Sequence, residues 1–86
     1  MEMHQIRYFL AVCTTLNFTR AAEQCNVTQP ALTRAIQKLE EELDVKIFER
    51  GSAEVTTTPL GEAIVRQAQQ VIEQAQGIRE IAKRGQ

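Results

Sequence analysis

Between Thr28 and Lys38 the chain gathers its side chains best suited to polar recognition: Gln29, Thr33, Arg34, Gln37 and Lys38. An amide can bond a base edge two ways, a hydroxyl both donates and accepts, and the two cations can meet phosphate. These residues share one side of a helix, because Leu32, Ala35, Ile36, Leu39 and Leu43 recur at helical spacing and claim the other side. Thr28 can cap that helix, and Pro30 suits a first turn whose backbone donors have no partner in any case. The helix is read as 28–43. Beyond Lys38 it turns acidic at Glu40, Glu41, Glu42 and Asp44, so only its first half can lie near phosphate. A helix entering a DNA major groove N-terminus first has this distribution.

A plainer role competes for each of these residues. Gln29 is either a base reader, with adenine the partner its amide geometry fits, or an exposed first-turn residue. Arg34 contacts DNA or pairs with Glu41 along the helix. Lys38 lies one turn deeper, where solvent alone would satisfy it. Thr28 is a cap first and a phosphate contact second. Pro30 and Ala31 serve by being small and apolar, touching a thymine methyl or letting the helix approach. Arg20 reaches phosphate or pairs with Glu23. The acids at 40–44 point in successive helical directions, so they read as a solvated face that repels phosphate rather than as a metal or catalytic cluster.

The elements that must position this helix follow from the same periodicity. Ile6, Phe9, Leu10, Cys13 and Leu16 predict an amphipathic scaffold helix from about Met3 to Thr15. Asn17 or Thr19 can cap a second, short helix through Cys25, with Ala21 and Ala22 small where helices cross. Asn26 tolerates the left-handed backbone that ends it. A short helix, a turn and a helix with polar groups on its first turns form a helix-turn-helix, although any three-helix bundle shares that rhythm. Val45, Ile47 and Phe48 to Arg50, then Gly51 and Ser52, then Val55 to Thr57, predict a short hairpin or wing. Thr58 and Pro59 open a last helix running to about Lys83. Along it Ile64, Ala68, Val71, Ala75, Ile78 and Ala82 make a heptad seam, and Leu60, Val65, Ile72 and Ile81 a second stripe. One side of a small domain cannot cover both stripes, so a helix from a second copy is the expected cover. Gly77 costs about 1 kcal/mol relative to alanine and marks the place where this helix could break.

The totals bound what this architecture can be. Eighty-six residues make one small domain whose core is marginal without added surface, which favours oligomerisation. No apolar run reaches bilayer length, and the N-terminus lacks a basic stretch followed by an apolar one; the chain reads as cytoplasmic, with no membrane partner. Cys13 and Cys25 lack zinc-pair spacing and are expected as buried free thiols. One histidine, no glycine-rich phosphate loop and no room for a cleft argue against an enzyme, a metal or a cofactor. The formal net charge of -1 argues against a general polyanion binder. Charge is local instead: from Phe18 to Leu39 three cations face one acid, whereas from Glu40 to Glu54 six acids face two cations.

The run Phe18 to Ala22, then Val27 to Ile36, Leu39 and Glu40, with Phe48, Glu49, Arg50, Thr58 and Gly61 at the usual spacing, resembles the N-terminal DNA-binding region of LysR-type transcriptional regulators. The likeness covers nearly the whole chain. It implies a mostly α fold, a winged helix-turn-helix over 1–58, followed by a linker and dimerisation helix over 59–86. It implies sequence-specific binding of double-stranded promoter DNA as a homodimer. Gln29, Pro30, Ala31, Thr33 and Arg34 become candidates for base and phosphate contact, and Asn17, Thr19 and Arg50 for backbone phosphate. Arg20, Thr28 and Lys38 complete the expected DNA-binding set; Leu60, Ile64, Ala68, Val71, Ala75 and Ile78 form the expected dimer seam. Full-length members carry a C-terminal ligand-sensing domain that is absent here, so the chain reads as an isolated DNA-binding region. It departs from the family pattern at the wing tip, Gly51, Ser52, Ala53 and Glu54, where a basic residue is common. Thr57 stands where leucine is frequent and Leu60 where alanine is. The rival reading is a helical oligomerisation or antitoxin-like interaction module, against which the polar donors at Gln29, Thr33 and Arg34 argue.

Overall fold

A computed structural model describes residues 1–50 and 55–86 of the chain. The expectation for the wing tip at Gly51, Ser52, Ala53 and Glu54 lies outside the described residues. The order is α1 (Met3–Thr15), α2 (Phe18–Gln24), α3 (Gln29–Leu43), β1 (Phe48–Arg50), β2 (Val55–Thr57) and α4 (Pro59–Arg84). The strands pair antiparallel, Phe48 with Thr57 and Arg50 with Val55, which is the hairpin the sequence predicts.

Local chemistry fixes most boundaries. Asn17, not Thr19, caps α2, its side chain accepting from the Arg20 backbone N–H at 2.9 Å. Thr28 caps α3 through the Ala31 N–H, and Thr58 caps α4 through the Gly61 N–H at 3.0 Å. Pro30 and Pro59 sit in the first turns, where a missing donor costs nothing. Asn26 and Asp44 take the left-handed backbone (φ 57° and 55°) that stops α2 and α3. Leu16 does the same after α1 at φ 53° and is 48% exposed, which removes it from the expected apolar stripe. The stripe that turns inward is Ile6, Phe9 and Val12, with Leu10 and Cys13 on its flank. Gln5, a buried amide, closes a capping box by accepting from the Glu2 N–H at 2.7 Å.

The core lies where α1, α2 and α3 meet. Phe9, Val12, Leu32, Ile36, Leu39 and Ile47 are fully buried, each worth about 1.5–3 kcal/mol of transfer free energy. Phe48 anchors the hairpin between Phe9 and Phe18, with ring centroids 5.7 and 5.8 Å away. The acidic end of α3 departs from expectation, because Glu40 is not part of a solvated face. Its carboxylate accepts from the Ile47 and Phe48 N–H groups at 2.7 and 3.3 Å and so ties α3 to the first wing strand. Glu41 and Glu42 are exposed, as expected, and Glu42 meets the Met1 amino group at 2.8 Å.

α4 leaves the core as a single helix of 26 residues, about 39 Å long at 1.5 Å per residue, unbroken at Gly77. Its start is packed closely: a Cβ at Gly61 would lie 2.5 Å from the Ile47 carbonyl oxygen and 2.8 Å from the Thr57 methyl. The Thr58 hydroxyl donates to the Lys46 carbonyl at 2.7 Å, fixing the helix start to the segment before β1. Among the described residues no helix is long and apolar enough to cross a membrane.

Candidate nucleic-acid interface

The polar half of α3 faces solvent as the spacing predicts. Pro30, Arg34, Gln37 and Lys38 are exposed, and Gln29, Ala31 and Thr33 are half-buried at the edge of that face. The capped start of α3 holds no acid in its first turn, so the positive end of the helix dipole is unopposed there. Gln29 is not loose: its Nε2 donates to the Thr33 hydroxyl one turn on, at 2.7 Å. Among the described residues Arg20, Arg34 and Lys38 enter no ion pair, so the competing pairs Arg20–Glu23 and Arg34–Glu41 do not form and these charges remain available.

A second group gathers at the start of α2. Asn17 and Thr19 are exposed on either side of Phe18, and the Arg50 guanidinium from the wing lies over the Phe18 ring, 3.9 Å from its centroid. This cation–π contact holds the wing cation against the start of α2, the turn that also carries Asn17 and Thr19. Asn17 already uses its carbonyl as the cap, leaving its amide N–H groups for an outside acceptor. Arg20 is exposed one residue beyond. Thr28 is occupied as a cap, with its hydroxyl proton unspent among the described residues.

The expected dimer seam divides in two. Gly61, Val65, Ala68 and Ile72, at spacings of four, three and four, turn toward the domain's own core, and Ala68 is only 3% exposed within it. Ala68 is therefore covered by its own chain and is unavailable to a partner. Ile64 also packs against the core, at the border of that face. The outward members are Leu60, Val71 and Ile78, 51%, 40% and 69% exposed, with Ala75 half-buried beside them. With Met3 of α1, Val71, Ala75 and Ile78 line a shallow, mostly apolar groove. A 4–3–4 rhythm of apolar residues does not say whether its cover is the same chain or another, which is why both stripes read alike in the sequence.

Three residues that position these groups escaped the sequence reading. Phe18 was placed in a motif but not recognised as the pad under Arg50; an aromatic beside a cap, with an arginine later in a hairpin, is a faint signal. Glu40 had no signal, since its partners are backbone groups across a loop. Met3 joins the α4 groove only through the crossing of α1 and α4.

The match to known proteins agrees with this geometry. Residues 3–62 fit the model described as bacterial regulatory helix-turn-helix protein, lysR family. The chain is 51% identical over 61 residues to the HTH-type transcriptional regulator BenM of Acinetobacter baylyi, which covers 71% of this chain and 20% of that protein. It superimposes on full-length OxyR C199D from Pseudomonas aeruginosa with a TM-score of 0.96 and 51% identity, over 100% of this chain and 29% of the other. It also superimposes on the BenM_DBD/benA site 1 DNA complex with a TM-score of 0.92 and 40% identity, over 98% of this chain and 94% of the other. The chain thus spans 20–27% of the length of the curated relatives it most resembles. With a family match over 60 of 86 residues and a winged helix-turn-helix that superimposes throughout, the chain belongs to the LysR family of bacterial helix-turn-helix regulators.

Proposed function

We propose that the chain binds promoter DNA sequence-specifically, with the N-terminal half of α3 in the major groove and two copies joined through α4. The observation that carries this reading is the polar face of α3, where an amide and a hydroxyl near the dipole-positive helix start are followed by two exposed cations that enter no ion pair among the described residues. Gln29 and Thr33 supply base-edge groups, Arg34 and Lys38 supply cations, and Pro30 and Ala31 leave the approach unobstructed. Asn17, Thr19, Arg20 and Arg50 grip phosphate from the start of α2, and Thr28 adds its hydroxyl. The likeness to a BenM DNA-binding domain solved in complex with DNA supports DNA binding.

Residues 1–58 in this scheme make the DNA contacts and residues 59–86 the pairing. The partner is a second copy, seated on Leu60, Val71, Ala75 and Ile78 with the groove beside Met3. An α4 that runs past its own core leaves apolar side chains such as Ile78 in water, and a symmetric antiparallel pair of such helices would cover them. Two α3 helices then read half-sites separated by a whole number of helical turns. No catalytic role is proposed, and the site of action is the cytoplasm, where the chromosome lies.

Selection of bound duplexes from a random pool tests the proposal. A recovered motif with two related half-sites, and an affinity that falls steeply as salt rises, is the expected result. Recovery of no motif would refute sequence-specific reading.

A further inference from the structure

We infer that Glu40 is a positioning residue for DNA binding: by tying the end of α3 to β1, it fixes where Arg50 stands relative to the DNA-facing half of the same helix. The inference rests on the phosphate-contact role proposed above for Arg50. One side-chain oxygen of Glu40, Oε2, accepts from the Ile47 N–H at 2.7 Å and from the Phe48 N–H at 3.3 Å, and the Glu40 backbone carbonyl accepts from the Val45 N–H at 3.1 Å. A carboxylate only accepts and a backbone N–H only donates, so the sense of these bonds is fixed. Among the described residues Glu40 is the only α3 side chain bonded to the wing.

β1 has three residues and pairs with β2 alone, and a hairpin of that size does not hold its own place in water. Its position must come from what it is fastened to. On one side the Ile47 carbonyl accepts from the Thr58 N–H at 2.9 Å, at the start of α4; on the other Glu40 takes the Ile47 and Phe48 N–H groups. Phe48 and Arg50 are two apart on one strand and so share a face. Both therefore meet Phe18, the Phe48 ring at 5.8 Å between centroids and the Arg50 guanidinium at 3.9 Å from the centroid. Of the polar fastenings only Glu40 comes from α3, the helix that also carries Arg34 and Lys38. The exposed cations of helix and wing thus stand at a set separation before DNA arrives, which lowers the entropy lost on binding.

The experiment is a double-mutant cycle on the full 86-residue chain, titrated against a selected and a random duplex at one salt concentration. Glu40→Gln and Glu40→Ala remove the same charge, but only glutamine keeps a carbonyl that can accept from both N–H groups, so the difference between them isolates the tie. Glu40→Ala should bind both duplexes about threefold more weakly than Glu40→Gln, the scale of immobilising one long side chain. Arg50→Ala should itself weaken both duplexes. In the Arg50→Ala background the two Glu40 variants should bind alike, because the group that Glu40 positions is gone; a loss that came from a less stable domain would not depend on Arg50. Should Glu40→Ala fail to fold by circular dichroism, Glu40→Asp against the wild type, equal in charge but with the carboxylate drawn back by one methylene, makes the same comparison with the same expectation. An equal difference in both Arg50 backgrounds, or no difference in either, would overturn the inference while leaving the role of Arg50 intact. An Arg50→Ala variant that binds both duplexes as tightly as the wild type would instead remove the phosphate contact, and the inference with it.

Discussion

Arg50 illustrates how a single side chain is made ready for a polyanion. Its guanidinium rests on the Phe18 ring at 3.9 Å, a contact that restricts the side chain without neutralising its charge. Phe18→Leu should keep the core filled while releasing Arg50, so binding to every duplex should weaken alike, by up to about 1 kcal/mol, in a titration against both selected and random DNA. Cys13 belongs at the same scale. Partial burial on α1 pushes its thiol up to about 11 from an ordinary value of 9.0, so the folded chain holds the proton more tightly than the unfolded one. That contribution is fully present below pH 9.0 and is lost as pH rises through about 11, so stability should decline across this window and Cys13→Ala should flatten the decline in urea titrations. The placement of Gln29, Thr33 and Arg34 off the buried face is legible in the sequence because helical spacing alone separates them from Leu32 and Ile36. The pairing of Phe18 with Arg50 was not, since 32 residues of chain lie between them and only the folded hairpin brings them together.

Among the elements, the wing and the start of α4 depend on contacts made across loops. Glu40 holds two backbone N–H groups of the segment entering β1, and removing that acceptor leaves both without a partner. Glu40→Ala should therefore cost about 1–3 kcal/mol and speed amide exchange at Ile47 and Phe48, with Glu40→Gln milder because its carbonyl can still accept. Gly61 is demanded by space rather than by backbone freedom: a methyl there meets the Ile47 carbonyl, and Gly61→Ala should destabilise by about 1–3 kcal/mol as α4 is forced off the hairpin. The helices themselves were readable almost to the residue, because Thr28–Pro30 and Thr58–Pro59 announce their starts through chemistry that acts locally. The same locality explains the errors. Nothing within its own helix distinguishes Glu40 from Glu41, so spacing reads both as solvated acids, and periodicity places Leu16 on the apolar stripe because it does not register a cap in the left-handed region.

For the whole molecule, the governing fact is that α4 is longer than the domain it covers. It completes the core through Gly61, Val65 and Ala68, and its outward side carries Val71 and Ile78 into solvent with Ala75 half-buried between them. Val71→Glu or Ile78→Glu should give a folded monomer by sedimentation with native circular dichroism, whereas Ala68→Glu should fail to fold; an unchanged mass for the first two would remove the pairing role of α4. Periodicity marks more apolar surface on α4 than one side of a small domain covers, but which of those residues the chain's own core takes is visible only in the packed structure. In the proposed assembly, two copies of α3 would present the same face to DNA. The most direct measurement is the ratio of affinities for a selected duplex and its scrambled counterpart, at one fixed salt concentration, for the wild type, Gln29→Ala and Arg34→Ala. Gln29→Ala should lose about 1–3 kcal/mol on the selected duplex alone and so lower the ratio, while Arg34→Ala, as a phosphate contact, should weaken both duplexes and keep it. A ratio that Gln29→Ala leaves untouched would contradict base reading by α3.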